Sequence, residues 1–263
     1  MVVRDAPVIS RVEHDVVPRH VEVVDVVDLT PRMRRVVLAG PDADLLGLPV
    51  SGPTDHLKVF FPPAPGEEPP VPEIGPRGLV APTTGADRPY REYTVRRHDG
   101  DRIALDVFRH GSGLAGGWIE DPRGSVWLLG PRSTSVVEPR DWYLLGGDET
   151  ALPAIARWLE ALPPERTTAF VEVADAAEHD YLGHLPGADV RWLHRGDAEP
   201  GSTTLLADAV TAFASPVGEG FCWMGAEAGA LRPVRRHLRD VLPAAAVDLD
   251  GYWRRGVAGT GLG

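Results

Sequence analysis

Residues 91–96 read Arg91-Glu92-Tyr93-Thr94-Val95-Arg96, a stretch typical of a strand, and they follow a long proline-rich loop. Alternate side chains of a strand share a face, so Arg91 and Tyr93 are expected to point together and Thr94 to point away. An arginine can bind a phosphate, an aromatic ring can stack on a flat heterocycle, and a hydroxyl can bond a ring nitrogen. The stretch therefore suits a flavin dinucleotide. The plainer alternative is an edge strand with a solvated arginine and a half-buried tyrosine.

The same stretch belongs to a series of short strands that predicts a small antiparallel β-barrel. Asp99-Gly100 is typical of a hairpin turn between two of these strands. Residues 62–90 hold nine prolines, too many for one regular element, and are expected to form an excursion. The strands are predicted at residues 20–27, 33–38, 56–61, 91–96, 102–108 and 126–129.

From residue 139 onward, strands alternate with helices, which predicts a doubly wound parallel α/β sheet. Pro233 cannot lie deep in a helix, so the last helix is expected to begin near Ala230 and to end near Leu242. We therefore divide the chain into a barrel domain, residues 1–138, and an α/β domain, residues 139–263. The remaining elements are predicted as strands at 142–145, 169–173, 190–193, 221–224 and 247–253, and helices at 151–162 and 205–213.

Two glycine-containing turns are candidate ligand sites. Gly111, Gly116 and Gly117 precede Trp118 at the start of a short predicted helix, where backbone amides and the helix dipole favour a pyrophosphate. A flexible hairpin loop explains the same glycines.

The second turn, residues 146–150 (GGDET), follows the first strand of the α/β half, at the edge where such sheets bind ligands. It lacks the GxGxxG pattern. Asp148 and Thr150 are its candidate cofactor-binding residues, with Thr150 also the expected helix N-cap and Pro153 in the first helical turn. A well-capped helix without a ligand is the alternative.

Charge and cysteine content exclude several classes of function. Twenty-seven basic and 38 acidic residues give a net charge of −11, which disfavours binding to nucleic acid or to an anionic membrane. No apolar run approaches the roughly 20 residues that span a bilayer, so we expect no membrane insertion. Cys222 is the single cysteine, which favours a reducing cytoplasm, and its apolar neighbours predict a place in a strand core. The nine histidines show no metal-ligand spacing, so no protein-bound metal is expected.

Six motifs resemble, in the same order, those of the siderophore-interacting protein family. The members of this family are ferric-siderophore reductases of the ferredoxin reductase-like superfamily. The similarity runs from about Arg19 to Gly256, nearly the whole chain. The motifs are residues 91–96 (REYTVR), 106–111 with Trp118, 130–133 (GPRS), 147–153 (GDETALP), 192–196 (WLHRG) and 251–256 (GYWRRG).

The resemblance implies that FAD binds the barrel, with Arg91 on its phosphates, Tyr93 on its ring and Thr94 near the redox-active nitrogen. The family commonly shows a proline and then alanine-serine before the tryptophan, where this chain has Leu114, Ala115, Gly116 and Gly117. Backbone donors would then have to replace a phosphate-binding hydroxyl. The further cofactor-binding candidates are Val107, Arg109, His110, Gly111, Gly116, Gly117, Trp118, Asp148 and Thr150.

The resemblance also implies the reaction: electrons pass from NADPH or NADH through FAD to Fe(III) in a siderophore, and Fe(II) is released. No side chain is needed as an acid or base, because the redox chemistry belongs to the flavin. Lys58, the single lysine, together with Arg132 and Arg254 matches basic positions near the open face of the flavin. Surface or domain-interface ion pairs are the competing explanation for all three. We expect a monomer.

Three other functions stay open on the sequence alone. The first is a flavin oxidoreductase of the same superfamily with a different acceptor or a deazaflavin donor, and the second is a siderophore-binding protein without useful flavin binding. The third, a structural or interaction module that uses the barrel alone, is disfavoured because a complete α/β half follows. The nicotinamide preference is also open: the resemblance favours NADPH. Glu172 and Asp175, near the end of the second α/β strand, would repel a 2′-phosphate, whereas Arg195 after the next strand would attract one.

Overall fold

The computed structural model describes residues 8–40, 45, 47–75, 78–80, 90–111, 113–185 and 187–257. The chain divides into two compact units. Of the described residues, the barrel unit contains Glu13–Thr134, Ala177–His184 and 256–257. The α/β unit contains 8–12, Ser135–Ala176 and Leu185–Arg255. Part of the expected excursion, residues 76–77 and 81–89, lies outside the described residues.

The barrel unit confirms the predicted antiparallel barrel, which closes in the strand order β2-β3-β8-β7-β4-β9. Alternate strand residues point inward, and side chains such as Val36, Leu57 and Ile103 fill the core. The sequence patterns did not indicate β1, β5, β6 and β10. These short strands form two separate two-stranded sheets, β1 with β10 and β5 with β6. The elements of the N-terminal half are β1 (Ile9–Glu13), β2 (Pro18–Asp28), β3 (Met33–Ala39), β4 (His56–Phe60), β5 (Ile74–Gly75), β6 (Gly78–Leu79), β7 (Tyr90–Asp99), β8 (Arg102–Phe108), α1 (Gly113–Glu120), β9 (Ser125–Leu129) and β10 (Ser133–Val137).

Strands β7 and β8 form the predicted hairpin. Gly100 has a φ of +60°, the left-handed conformation that glycine adopts without strain, and Asp99 pairs with Arg102 across the turn. The hairpin therefore joins the stretch that carries Arg91 and Tyr93 to the strand that ends near Val107.

The α/β unit confirms the doubly wound sheet, with five parallel strands in the order β13-β12-β11-β14-β15. Every residue of β11 and β14 is buried, as expected for strands covered on both faces. Cys222 is in the core of β14, as predicted, and burial raises the pKa of its thiol. None of the helices within the described residues is long and apolar enough to cross a membrane. The elements are β11 (Trp142–Gly147), α2 (Leu152–Ala161), β12 (Thr167–Val173), β13 (Asp189–His194), α3 (Leu205–Thr211), β14 (Gly220–Glu227), α4 (Leu231–Leu238) and β15 (Val247–Trp253).

The expectation that Thr150 caps the first α/β helix is wrong. The side chain of Asp148 accepts a hydrogen bond from the backbone amide of Thr150 (2.9 Å) and caps a 3-10 turn, Glu149–Ala151. Helix α2 then begins at Leu152, with Pro153 in its first turn as predicted. Asp148 is the better cap because its carboxylate reaches the free amides of the turn directly after β11.

The last helix begins where predicted but ends earlier. Helix α4 starts at Leu231 and stops at Leu238 rather than near Leu242. The amides of Asp240 and Val241 bond to carbonyl groups three residues back, so the chain tightens into turns before Pro243.

The connection from β12 to β13 carries a segment that belongs to the barrel unit. Within Ala177–His184, Glu178 is fully buried and accepts hydrogen bonds from the hydroxyl of Thr30 and from the backbone amide of Arg32 (3.2 Å). A buried carboxylate is stable only when it is bonded in this way.

A second buried carboxylate, Asp106 of β8, joins the same segment to the barrel. The hydroxyl of Tyr181 donates to it (2.5 Å), and Arg35 donates two hydrogen bonds (2.6 and 2.7 Å). The segment 177–184 is therefore fixed to the barrel by hydrogen bonds to charged groups, which are among the stronger kinds in proteins.

We predict that Tyr181→Phe lowers the free energy of unfolding by about 1.5–3 kcal/mol, because it removes a buried hydrogen bond to a charged group. Urea unfolding followed by tryptophan fluorescence measures the change. Tyr143→Phe is the matched control: its hydroxyl accepts only from the neutral amide of Arg140 (2.8 Å), so its loss is expected to cost about 0.5–1.5 kcal/mol. Equal effects of the two substitutions would contradict the bond between Tyr181 and Asp106.

Candidate functional site

The antiparallel pairing of β4 with β7 sets the direction of the candidate flavin residues. Leu57 pairs with Tyr93, and Val59 pairs with Arg91. Leu57 and Val59 are fully buried in the barrel core, so Arg91 and Tyr93 share the core-facing side of the two strands. Thr94 points to the opposite side and is buried there. The register confirms the expected directions of all three motif residues.

Tyr93 lies among aromatic side chains beside the barrel core. The centre of its ring is 6.2 Å from that of Phe61, which in turn lies 5.0 Å from the ring of Trp118. Burial raises the pKa of the Tyr93 phenol, so the hydroxyl stays protonated and can donate a hydrogen bond. The ring is half-buried, which leaves part of it open to a flat ligand.

Two predicted cofactor-binding residues at the end of β8 and directly after it, Val107 and Arg109, have side chains that contact other protein residues. The Val107 side chain is buried in the barrel core. Arg109 forms an ion pair with Glu120 at the end of α1 (2.5 Å) and lies 3.9 Å from Asp28. The side chains of Val107 and Arg109 are thus engaged with the protein, and direct contact with a flavin stays a prediction for both.

His110 packs against the backbone of α1 where the two glycines occur. A Cβ atom at Gly116 would lie 3.1 Å from Cε1 and 3.3 Å from Nδ1 of His110. Burial and the nearby charge of Arg91 lower the pKa of His110, so its ring is neutral at neutral pH. At Gly117, by contrast, an added Cβ would meet no atom of the described residues within 4 Å. The first glycine is needed for close packing, and the second leaves open space.

These residues fit an FAD cofactor. Gly111 is exposed with a φ of +66°, and its carbonyl carbon would lie 3.1 Å from a Cβ at Gly116, so the loop and α1 pack closely. The charge of Arg91 acts on His110 in the same loop. A cation near a glycine turn and a half-buried aromatic ring are groups that can contact a flavin diphosphate and its ring.

Lys58 lies on the opposite side of β4 from the flavin residues, directly across from Glu92 of β7. Its ammonium group forms an ion pair with Glu92 and lies 5.0 Å from the centre of the Tyr90 ring. The charge of Lys58 is therefore balanced within the protein. Sequence reasoning missed Glu92, although it stands inside the REYT motif, because only the register shows that it faces Lys58.

The two arginines predicted to bind the substrate are open to solvent. The Arg132 side chain is 85% exposed and lies 4.0 Å from Glu13. Arg254 belongs to the α/β unit and is also exposed. Both can attract an anion without first breaking a buried ion pair.

The turn after β11 is organised around the buried carboxylate of Asp148. One oxygen accepts from the amide and the hydroxyl of Thr150 (2.9 and 2.5 Å), and the other from the amide of Glu227 (3.0 Å) and the indole of Trp253 (2.8 Å). Burial raises the pKa of Asp148, and these four donors oppose the shift. Asp148 and Thr150 therefore hold the turn together, and their contact with a cofactor stays a prediction.

The strand order reverses between β11 and β14, which is where open α/β sheets bind nucleotides. The two strands approach closely at this point: a Cβ at Gly147 would lie only 2.2 Å from the carbonyl oxygen of Gly225. The glycines leave bare backbone at the carboxyl edge of the sheet, which a nucleotide can approach closely.

Glu149, a residue of the same turn that sequence reasoning missed, pairs with Arg195. The two side chains are 1% and 3% exposed, and the Arg195 guanidinium donates to Glu149 Oε1 at 2.6 Å. The same oxygen accepts from the amide of Ala174 (3.0 Å). Burial and the charge of Asp148 raise the pKa of Glu149 to about 7, against the opposite effect of Arg195. The motif contains Glu149, but its sequence does not indicate that the partner is Arg195, 46 residues away.

A closed antiparallel barrel followed by a parallel sheet of this order defines a class of two-unit fold that solved structures of other proteins share. The FAD/NAD binding domain of a nitric oxide dioxygenase from Vibrio cholerae shares this fold at 16% identity, with a TM-score of 0.60 over 89% of this chain and 98% of that one.

Within that class the chain belongs to the siderophore-interacting protein family. The siderophore-interacting FAD-binding domain matches residues 22–134, and the siderophore-interacting protein domain matches residues 140–256. A siderophore utilization protein from T. fusca is 40% identical, with a TM-score of 0.86 over 96% of this chain and 98% of that one. The NADPH-dependent ferric-chelate reductase of Escherichia coli is 32% identical over 93% of this chain and 96% of its own length.

We predict that Gly116→Ala weakens FAD binding by roughly tenfold, because the new methyl group displaces His110 from the backbone of α1. Gly117→Ala is the matched control and is expected to bind FAD about as well as the wild type, since its methyl group enters open space. Titration of the apoprotein with FAD, followed by flavin fluorescence, measures both affinities. Stronger loss in the Gly117 variant would contradict the packing described for this pair.

Proposed function

We propose that this protein is an FAD-dependent ferric-siderophore reductase that draws electrons from a nicotinamide dinucleotide. The observation that supports it most directly is the β4–β7 pair, which puts Arg91 and Tyr93 on one face. The Escherichia coli relative, which this chain matches over 96% of that protein's length, is named a ferric-chelate reductase. This name supports a reductase activity for this chain.

The residues of the barrel unit would bind and orient the flavin. Arg91 and the backbone at Gly111 and Gly117 would hold the diphosphate, and Tyr93 would contact the ring. When bound, FAD converts a two-electron donor into a source of single electrons for iron. Tyr93 keeps its proton, so it offers the ring a neutral surface and a hydrogen-bond donor. No residue of the chain has to act as an acid or base.

The ferric siderophore, commonly an anion, would be attracted by local positive charge in a chain of net charge −11. Arg132 is the most accessible of the candidates described in the barrel unit, and Arg254 is the candidate in the α/β unit. Attraction between unit charges about 4 Å apart is worth roughly 1–4 kcal/mol, depending on the local dielectric, which is enough to orient a substrate. Fe(II) leaves because siderophores bind it far less tightly than Fe(III).

Purified protein tests the proposal by its visible spectrum and by electron stoichiometry. We expect bound flavin that a nicotinamide dinucleotide bleaches without oxygen, and two Fe(II) trapped for each nicotinamide oxidised when a ferric siderophore is added, since iron accepts one electron at a time. The Arg91→Ala variant is expected to purify with less flavin. Reduced flavin that no ferric siderophore reoxidises would contradict the reductase activity.

A colourless protein that stays without flavin after incubation with FAD, yet binds a ferric siderophore, would instead support the second candidate, a siderophore-binding protein. Gly116 and Gly117, which offer no hydroxyl to a phosphate at the start of α1, are the observation that supports this candidate.

We predict that Glu92→Gln lowers the KM for an anionic ferric tris-catecholate by roughly fivefold, because it frees the charge of Lys58 from a partly exposed ion pair. The KM for an uncharged ferric tris-hydroxamate is expected to stay unchanged. Glu22→Gln, which removes an exposed carboxylate of β2, is the control for net charge. An equal change for both chelates would show that Lys58 does not meet the substrate.

A further inference from the structure

The carboxyl ends of β11, β12 and β13 bring together the residues that bear on the nicotinamide dinucleotide of the proposed function. In sheets of this strand order, the ribose of the adenosine lies near the end of the second strand. An acidic side chain there binds the free 2′-hydroxyl, whereas an arginine there accommodates a 2′-phosphate. In this chain the acidic residue is Glu172 of β12, and the arginine is Arg195, directly after β13.

Arg195 is held inside the protein. Its guanidinium donates to Glu149 at 2.6 Å, its side chain is 3% exposed, and its Nε is also buried. Its backbone amide bonds the carbonyl of Val173 at the end of β12 (3.0 Å). To meet a phosphate, Arg195 would have to leave Glu149 as an unpaired buried carboxylate, which is strongly unfavourable. The cation that would bind a 2′-phosphate is therefore already engaged.

Glu172 remains as the acidic group at the end of the second strand. Its side chain accepts hydrogen bonds from the hydroxyl of Thr203 (2.8 Å) and from the backbone amide of Leu206, so its position is fixed. The charge of Asp148 is near enough to raise its pKa further after burial has done so. A ribose hydroxyl can donate to such a carboxylate, but a phosphate dianion is repelled by it.

We infer that this edge selects a nicotinamide dinucleotide without a 2′-phosphate, with Glu149 and Glu172 as specificity-determining residues. Glu172 favours the free hydroxyl and repels the phosphate, and Glu149 withholds Arg195. The Escherichia coli relative carries NADPH in its name. The preference inferred for this chain is NADH, and it depends on the Glu149–Arg195 pair.

The test measures binding of two nucleotide fragments that lack the nicotinamide, so it does not depend on turnover. The FAD-loaded protein is titrated calorimetrically with ADP-ribose and with 2′-phospho-ADP-ribose at about pH 8, where Glu149 is ionised because its pKa is about 7. We expect ADP-ribose to bind roughly tenfold more tightly, because the 2′-phosphate is repelled by Glu172 while Arg195 stays paired with Glu149.

The variants Glu149→Gln and Glu172→Gln are each expected to bring the two affinities within about threefold of each other, since each removes one source of repulsion or releases Arg195. Glu165→Gln is the control: it removes the same charge from an exposed position directly before β12, at the opposite edge of the sheet, and is expected to keep the wild-type ratio. If Glu149→Gln does not fold, as judged by circular dichroism, Glu172→Gln carries the comparison alone.

Equal or tighter binding of 2′-phospho-ADP-ribose by the wild type would overturn the inference and leave the proposed reductase intact. An unchanged ratio in the folded variants would also overturn it. If neither fragment binds and neither NADH nor NADPH reduces the flavin, the nicotinamide donor of the proposed function fails, and the inference fails with it.

Discussion

The pairing of β4 with β7 is the constraint on which the candidate flavin site depends. Five consecutive residue pairs join these strands, and side chains alternate along both. A slip of one residue would turn Arg91 and Tyr93 to the other face and bring Glu92 in their place. The same slip of β7 would move Val95, two residues beyond Tyr93 and fully buried, out of the core. The hydrophobic core of the barrel therefore also fixes the direction of the residues that would hold the cofactor.

Each unit contains a buried aspartate that joins segments far apart in the chain. Asp106 binds Arg35 and Tyr181, and Asp148 binds donors that include Trp253, so each carboxylate joins segments far apart in the chain. A buried charge is stable only when donors surround it, and such a group holds those donors in one arrangement. The acidic residues that stand out in the sequence motifs are thus committed to the fold. This agrees with a reaction whose chemistry is supplied by bound cofactors.

Local patterns were sufficient to predict the barrel, the doubly wound sheet and the hairpin at Gly100, because alternation and turn residues act over a few positions. The shared face of Arg91 and Tyr93 followed from the same alternation. Contacts between distant residues were not predictable: the segment 177–184 lies in the barrel unit through bonds across more than 70 residues. The ion pair of Arg195 likewise depends on which loops meet at the edge of the sheet, which no periodicity encodes.

Neighbouring carboxylates control how easily the basic residues of the motifs can bind an anionic ligand. Lys58 faces Glu92 in the barrel unit, and Arg195 faces Glu149 in the α/β unit. An anionic ligand that approaches either cation must compete with a carboxylate already in contact. Arg132 also has a carboxylate neighbour, Glu13 at 4.0 Å, but both side chains are solvent-exposed, so the competition there is weak. The two competing carboxylates differ in strength, because the partner of Lys58 is partly solvated and that of Arg195 is buried. An incoming anion can therefore exchange with the first far more easily than with the second. Motif residues thus indicate the class of ligand, and the burial of their counter-charges sets the cost of reaching each cation.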